Sequence, residues 1–166
     1  MRGYLLDTNI LAFWFSESYK DRHDRVVQHI GSLPGGTPFR VSAITLGEIE
    51  YGHRADRQVD TPIHAEFNQF VEEQVPEVLD VRKTTRVYYG PLRARLFEKF
   101  APKNLRKQIR LAQLIDPVTD KSLGIQENDL WIAAQAIEYN LVLVTHDRMQ
   151  HLRDVAGDLM VEDWAV

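Results

Sequence analysis

The sequence predicts an α/β fold, a mostly parallel sheet covered by helices on both faces, and three observations lead there. Five short apolar runs alternate with longer stretches of helical periodicity. One of those runs, LVLVT at 141–145, is apolar without interruption, as suits a strand buried on both sides. Leu33-Pro34-Gly35-Gly36 and Ala101-Pro102 break the chain where helical periodicity stops.

In chain order, GYLLD at 3–7 reads as the first strand, and helical periodicity follows over 9–15 and 19–32. The Pro-Gly-Gly break ends that second helix, and FRVS at 39–42 is the next strand. Ser42 is placed to cap a helix over 43–56, and another helix covers 62–75. EVLDV at 77–81 is the third strand, and the helix after it runs over 84–100 to the Ala101-Pro102 break. A helix over 104–115, a helix over 128–139, the strand LVLVT, a short helix over 148–154 and the strand LMVE at 159–162 complete the pattern. Chain length of 166 residues with 44% hydrophobic content suits one domain, able to bury roughly two-thirds of its unfolded surface.

Composition excludes several function classes. Without cysteine, neither disulfides nor thiolate metal sites are available, and a reducing interior is compatible. The run ILAFWF at 10–15 is too short to span a bilayer and lacks the layout of a signal peptide, so the expected location is cytoplasmic, with no membrane partner. Net charge is −4, yet Arg82 to Arg110 holds ten basic residues and one acid, which is +9 in 29 residues and leaves −13 on the rest. Such polarity lets an acidic protein bind a polyanion locally. Within that segment, Arg93, Lys103, Arg106, Lys107 and Arg110 are the candidate polyanion contacts; a solvated basic helix face is the alternative.

Four acids fall where an α/β fold concentrates chemistry. Functional crevices lie beyond the carboxyl ends of parallel strands, and Asp7 ends the first strand while Asp147 follows LVLV in the stretch VTHD. Each also fits a helix N-cap. Glu48, in SAITLGEIEYG, shares a helical stripe with Ile44 and Tyr51 and has no basic residue three or four positions away. Asp129, in ENDLWIAAQAIEYN, aligns with Ile132, Ala133 and Ala136, although an acid in a first helical turn also suits the helix dipole. Four converging carboxylates repel unless a cation sits among them, and an all-oxygen donor set selects Mg²⁺ or Mn²⁺. Zinc is disfavoured by the absence of HExxH or clustered histidines; His146 and His151 lie near Asp147 but read as surface residues. A Mg²⁺-carboxylate pocket beside a basic surface suggests phosphodiester hydrolysis.

DTNIL at 7–11, SAITLGEIEYG at 42–52, NDLWIAAQA at 128–136, THD at 145–147 and the tail Glu162 to Trp164 resemble, in order and across nearly the whole chain, the successive motifs of PIN-domain nucleases, particularly VapC-type toxins of prokaryotic toxin–antitoxin pairs. The resemblance implies a central five-stranded parallel sheet and a Mg²⁺- or Mn²⁺-dependent endoribonuclease carried by Asp7, Glu48, Asp129 and Asp147. It also implies supporting hydrogen bonds from Asn9, Thr45 and Thr145, an antitoxin partner encoded nearby, and a homodimer. Two departures stand out: an extended helix-loop insertion at about 100–126, and the bulky Trp131 two residues after Asp129. Competing classes are a PIN nuclease of RNA processing, a non-catalytic RNA-binding PIN module and a phosphoacceptor receiver domain. The last needs adjacent acids after the first strand and a lysine after the last, and this chain has no lysine after LMVE.

Overall fold

A computed structural model describes residues 2–55, 61–147 and 149–166. Asp56 and Arg148, at the ends of two expected helices, lie outside the described residues.

The strands are β1 (Tyr4–Leu6), β2 (Phe39–Ser42), β3 (Glu77–Leu79), β4 (Ile115–Asp116), β5 (Lys121–Ser122), β6 (Val142–Val144) and β7 (Met160–Glu162). Five of them form one parallel sheet in the order β3-β2-β1-β6-β7, and β4 and β5 make a separate antiparallel hairpin. The helices are α1 (Thr8–Phe15), α2 (Asp21–Ser32), α3 (Ala43–Ala55), α4 (Thr61–Gln74), α5 (Arg86–Phe100), α6 (Glu127–Glu138) and α7 (Gln150–Arg153). All five expected strands form, each shortened by no more than two residues. Among the described residues no helix is long and apolar enough to cross a membrane.

The strands alternate their side chains between two cores, as a pleat of period two requires. Leu5 and Leu143 pack with Leu92, Leu96, Leu130, Ala133 and Leu152 on the face covered by α5, α6 and α7. Leu6, Val41 and Val144 pack with Ile10, Leu11, Val26, Phe67 and Trp164 on the other. Burial at ~1.5–3 kcal/mol per large aliphatic side chain makes these two clusters the main support of the sheet. The C-terminal tail locks onto the second core, where the buried Trp164 ring lies 4.4 Å from His29 and 4.9 Å from Tyr4.

Strand order explains the position of the site. β1 is hydrogen-bonded to β2 on one side and to β6 on the other, with Leu6 opposite both Val41 and Val144. Chain leaving β1 heads for β2, whereas chain leaving β6 heads for β7 at the opposite edge, so the connections diverge between these two strands. A crevice opens at that switch point, beyond their carboxyl ends. Asn140, with φ 52°, turns the chain into β6: its N–H reaches the Ile137 carbonyl at 3.1 Å and the Leu141 N–H reaches the Ala136 carbonyl at 2.8 Å, a Schellman ending for α6.

The helix expected over 104–115 does not form. Successive turns bridge Pro102 to Leu105 and Leu105 to Ile109, one 3₁₀ turn covers Leu111–Gln113, and β4 and β5 follow. Like charges oppose such a helix, since Arg106 and Lys107 would each meet Arg110 three or four residues on. The 100–126 segment is therefore a turn-rich loop with a hairpin.

Candidate active site

Asp7 leaves β1 into α1 and is only 5% exposed. One carboxylate oxygen accepts the Thr8 N–H at 2.8 Å, so it does cap α1; the other accepts the Thr145 hydroxyl at 2.7 Å. One side chain thus both caps α1 and bonds to the loop after β6. Thr145, fully enclosed behind β6, also accepts the Asp147 N–H at 3.1 Å and so fixes the loop that carries the next acid.

Glu48 comes from α3, whose start is capped by the Ser42 hydroxyl accepting the Ile44 N–H at 3.0 Å. The inward side of α3 differs from the expected stripe, because Tyr51 is 74% exposed while Thr45 and Ile49 are buried. Glu48 lies at the border of that buried side, half-buried, where a carboxylate remains in reach of water. Both of its oxygens are held, one by the Thr8 hydroxyl at 3.0 Å and one by the Asn128 amide at 2.8 Å. Asp129, in the first turn of α6, accepts the Gln126 N–H at 2.8 Å, which satisfies the helix-terminus reading as well.

Asp7, Glu48, Asp129 and Asp147, delivered by two strand ends and two helices, line one cavity of about 290 Å³ together with Thr8, Asn9, Ala12 and Gln126. Among the described residues no lysine or arginine lines it. Burial, with further contributions from the neighbouring acids, pushes the Asp7 carboxyl up to about 6; the bonds from Thr145 and Thr8 oppose the rise. Asp129 is likewise pushed up to about 6 by burial and by the charges of Asp7, Asp147 and Glu48. Two carboxyls held above their ordinary range, first by burial and then by one another's charge, are groups that a bound cation would relieve. Among the described residues no three acids or histidines stand close enough together to hold a metal ion without moving. An open, all-oxygen cavity of this kind fits Mg²⁺ or Mn²⁺, ions that retain several waters and take few protein ligands.

The supporting residues divide. Thr145 contacts both strand-end acids as just described. Asn9 acts through backbone, its side-chain oxygen accepting the His146 N–H at 3.0 Å. Thr45 differs: its hydroxyl is buried and has no hydrogen-bond partner among the described residues. Thr8, Asn128 and Gln126 went unnoticed in the sequence, although two of them adjoin quartet residues inside the quoted motifs. His146 pairs with Asp163 at 2.9 Å and His151 packs 5.2 Å from the Phe100 ring; neither lines the cavity. Trp131 stacks on Tyr89 at 3.9 Å, joining α6 to α5.

The five basic candidates also separate. Arg93, Lys107 and Arg110 line a larger cleft of about 830 Å³, whose wall continues through Gln126 and Asn128. Gln126 lines both this cleft and the carboxylate cavity, so the two adjoin. Arg93 is paired with Glu127 and bonded to the Tyr89 hydroxyl. Arg106 has a structural task, donating to the Glu98 carbonyl at 2.7 Å near the end of α5. Lys103 is exposed and does not line the cleft.

A family model described as PIN domain matches residues 4–157. The chain belongs to the PIN-domain family. As a PIN domain it is similar to Ribonuclease VapC2 of Rickettsia felis, 26% identical over 161 residues with 97% of each chain covered. Ribonuclease VapC1 of Haemophilus influenzae strain R2866 is 29% identical, again over 97% of each chain. Among solved structures, VapBC-1 of nontypeable Haemophilus influenzae matches with a TM-score of 0.65 at 26% identity, covering 98% of both chains. VapBC2 of Rickettsia felis bound to a promoter DNA fragment shares the fold with a TM-score of 0.68 at 24% identity, covering 97% of this chain and 98% of that one. Membership of the PIN family removes the receiver-domain alternative.

Proposed function

We propose that this PIN domain is a Mg²⁺- or Mn²⁺-dependent endoribonuclease acting as the toxin of a toxin–antitoxin pair. The observation that carries the reading is the convergence of Asp7, Glu48, Asp129 and Asp147 on one cavity. Relatives named as VapC ribonucleases support RNA as the substrate. Solved relatives named as VapBC assemblies support an antitoxin as partner. A homodimer and a cytoplasmic location complete the proposal.

Asp7, Glu48 and Asp129 would hold the principal metal, directly or through water, with Asp147 completing the site or serving a second ion. When bound, the metal lowers the pKa of water and offsets charge developing on the scissile phosphate. The chain's own residues supply preorganisation. Thr145 keeps the Asp7 carboxylate turned toward the cavity, and Thr8 with Asn128 clamps both oxygens of Glu48, so few carboxylate rotamers need ordering when substrate arrives. Hydrolysis forms a bond from a water oxygen to phosphorus, breaks the P–O3′ bond and passes a proton to the departing oxygen, leaving 3′-hydroxyl and 5′-phosphate ends. Lys107 and Arg110, beside the carboxylate cavity, would hold flanking phosphates.

The test is cleavage of total RNA by the purified protein, with the product ends analysed chemically. Cleavage is expected to vanish in EDTA, to return with Mg²⁺ or Mn²⁺, and to leave 5′-phosphates. Cleavage that survives EDTA, or that leaves 2′,3′-cyclic phosphates, would overturn the metal-dependent reading.

A further inference from the structure

The 830 Å³ cleft is larger than a phosphate track needs, and its lining is mixed. Lys107 and Arg110 supply positive charge, Gln108 and Asn128 supply amides, and Ile109 and Ile125 supply apolar surface. Ligand pockets span roughly 300–1,000 Å³ and combine apolar walls with a few convergent polar groups. Amides and apolar walls beside cations suit an unstacked nucleobase, whose face needs apolar contact and whose edge needs hydrogen-bond partners.

Placement adds a second argument. Gln126 faces both cavities, and Asn128, which lines the cleft, donates at 2.8 Å to Glu48. A strand with its reactive phosphate at the four acids therefore enters the cleft with its adjoining nucleotides. The wall opposite α6 is built by the turn segment around 107–112, and the hairpin strand β5 contributes Ser122. The failed helix thus has a consequence: turns bring Lys107, Gln108, Ile109 and Arg110 to one cavity, whereas consecutive residues on a helix would face about 100° apart.

We infer that this cleft is a base-reading subsite for single-stranded RNA, selecting the nucleotide that flanks the cleaved bond through Gln108 and Asn128 and holding its phosphate with Lys107 and Arg110. This rests on the ribonuclease reading for its substrate class, but it is tested by binding alone. Lys107, Gln108 and Arg110 are exposed, so their replacement leaves the core intact.

Binding of labelled oligo-A, oligo-C, oligo-G and oligo-U to the full-length protein is measured by anisotropy in EDTA. The wild type is expected to prefer one base. Gln108→Ala is expected to reduce that preference by about threefold to tenfold, the worth of one hydrogen bond. Lys107→Ala combined with Arg110→Ala is expected to weaken all four oligomers and to lower the log–log salt slope by roughly 1.4, at ~0.7 per lost single-strand contact. Equal binding of the four oligomers, unchanged preference in Gln108→Ala, absence of RNA binding, or a double variant that loses only a protein partner would each overturn the inference. Failure of the nuclease reading shows separately, as a protein that binds RNA with base preference yet cleaves none when Mg²⁺ is added.

Discussion

Asp7 shows how one side chain serves two tasks at the residue scale. It ends the central strand, caps the helix that follows, and turns its second oxygen to Thr145 at the edge of a carboxylate cavity. The stability consequence has a definite sign. In the metal-free protein the carboxyls of Asp7 and Asp129, held at about 6, keep protons between roughly pH 4 and pH 6 that the unfolded chain has released. Their contribution to stability is present below pH 4 and is lost as pH rises through 6. Asp7→Asn keeps a cap of similar quality and cannot ionise. In EDTA the melting temperatures of the two proteins are expected to be close near pH 4 and to diverge by pH 7, with the variant more stable by on the order of 2 kcal/mol. A gap that does not change with pH would remove the argument that Asp7 is a strained, uncompensated carboxylate.

At the scale of elements, the sheet and the meeting of four acids at one cavity are legible because both follow from short-range pattern. An uninterrupted LVLVT admits few arrangements other than a strand covered on both faces, and an acid at the end of such a strand falls at the crevice by geometry. What stayed hidden depends on contacts between distant segments. Gln135 is the clearest case: fully buried on α6, it accepts the Ser42 hydroxyl of β2 at 2.6 Å and donates to the Leu79 carbonyl of β3 at 3.1 Å. Its neighbours in sequence are alanines, and nothing local marks it as a tie across three elements. Thr8 and Asn128 escaped for the same reason, since their shared partner Glu48 lies 40 and 80 residues away. In segment 104–115 apolar spacing favours a helix while repulsion among its basic side chains opposes one, and turns form instead. Gln135→Ala strands a buried hydroxyl and a buried carbonyl, and is expected to cost about 2–4 kcal/mol. Thermal unfolding followed by circular dichroism checks this, with a drop of roughly 5–15 °C expected at ~2–4 °C per kcal/mol.

For the whole molecule, the opposed charges of the sequence become adjoining cavities. The acids of the negative majority line one, the basic segment contributes to the cleft beside it, and Gln126 lies in the lining of both. A net charge of −4 is therefore a poor guide to what binds, because a polyanion entering the cleft meets local positive charge before it meets the carboxylates. The central claim is that those carboxylates form one hydrolytic site, and the most direct measurement is RNA cleavage by the wild type and Asp7→Asn side by side in Mg²⁺ at pH 7. The wild type is expected to cleave, while the variant, folded and at least as stable, is expected to lose a hundredfold or more of the rate, on the order of 3 kcal/mol of transition-state stabilisation. An Asp7→Asn protein that cleaves RNA at the wild-type rate would contradict the site and leave Asp7 a helix cap alone.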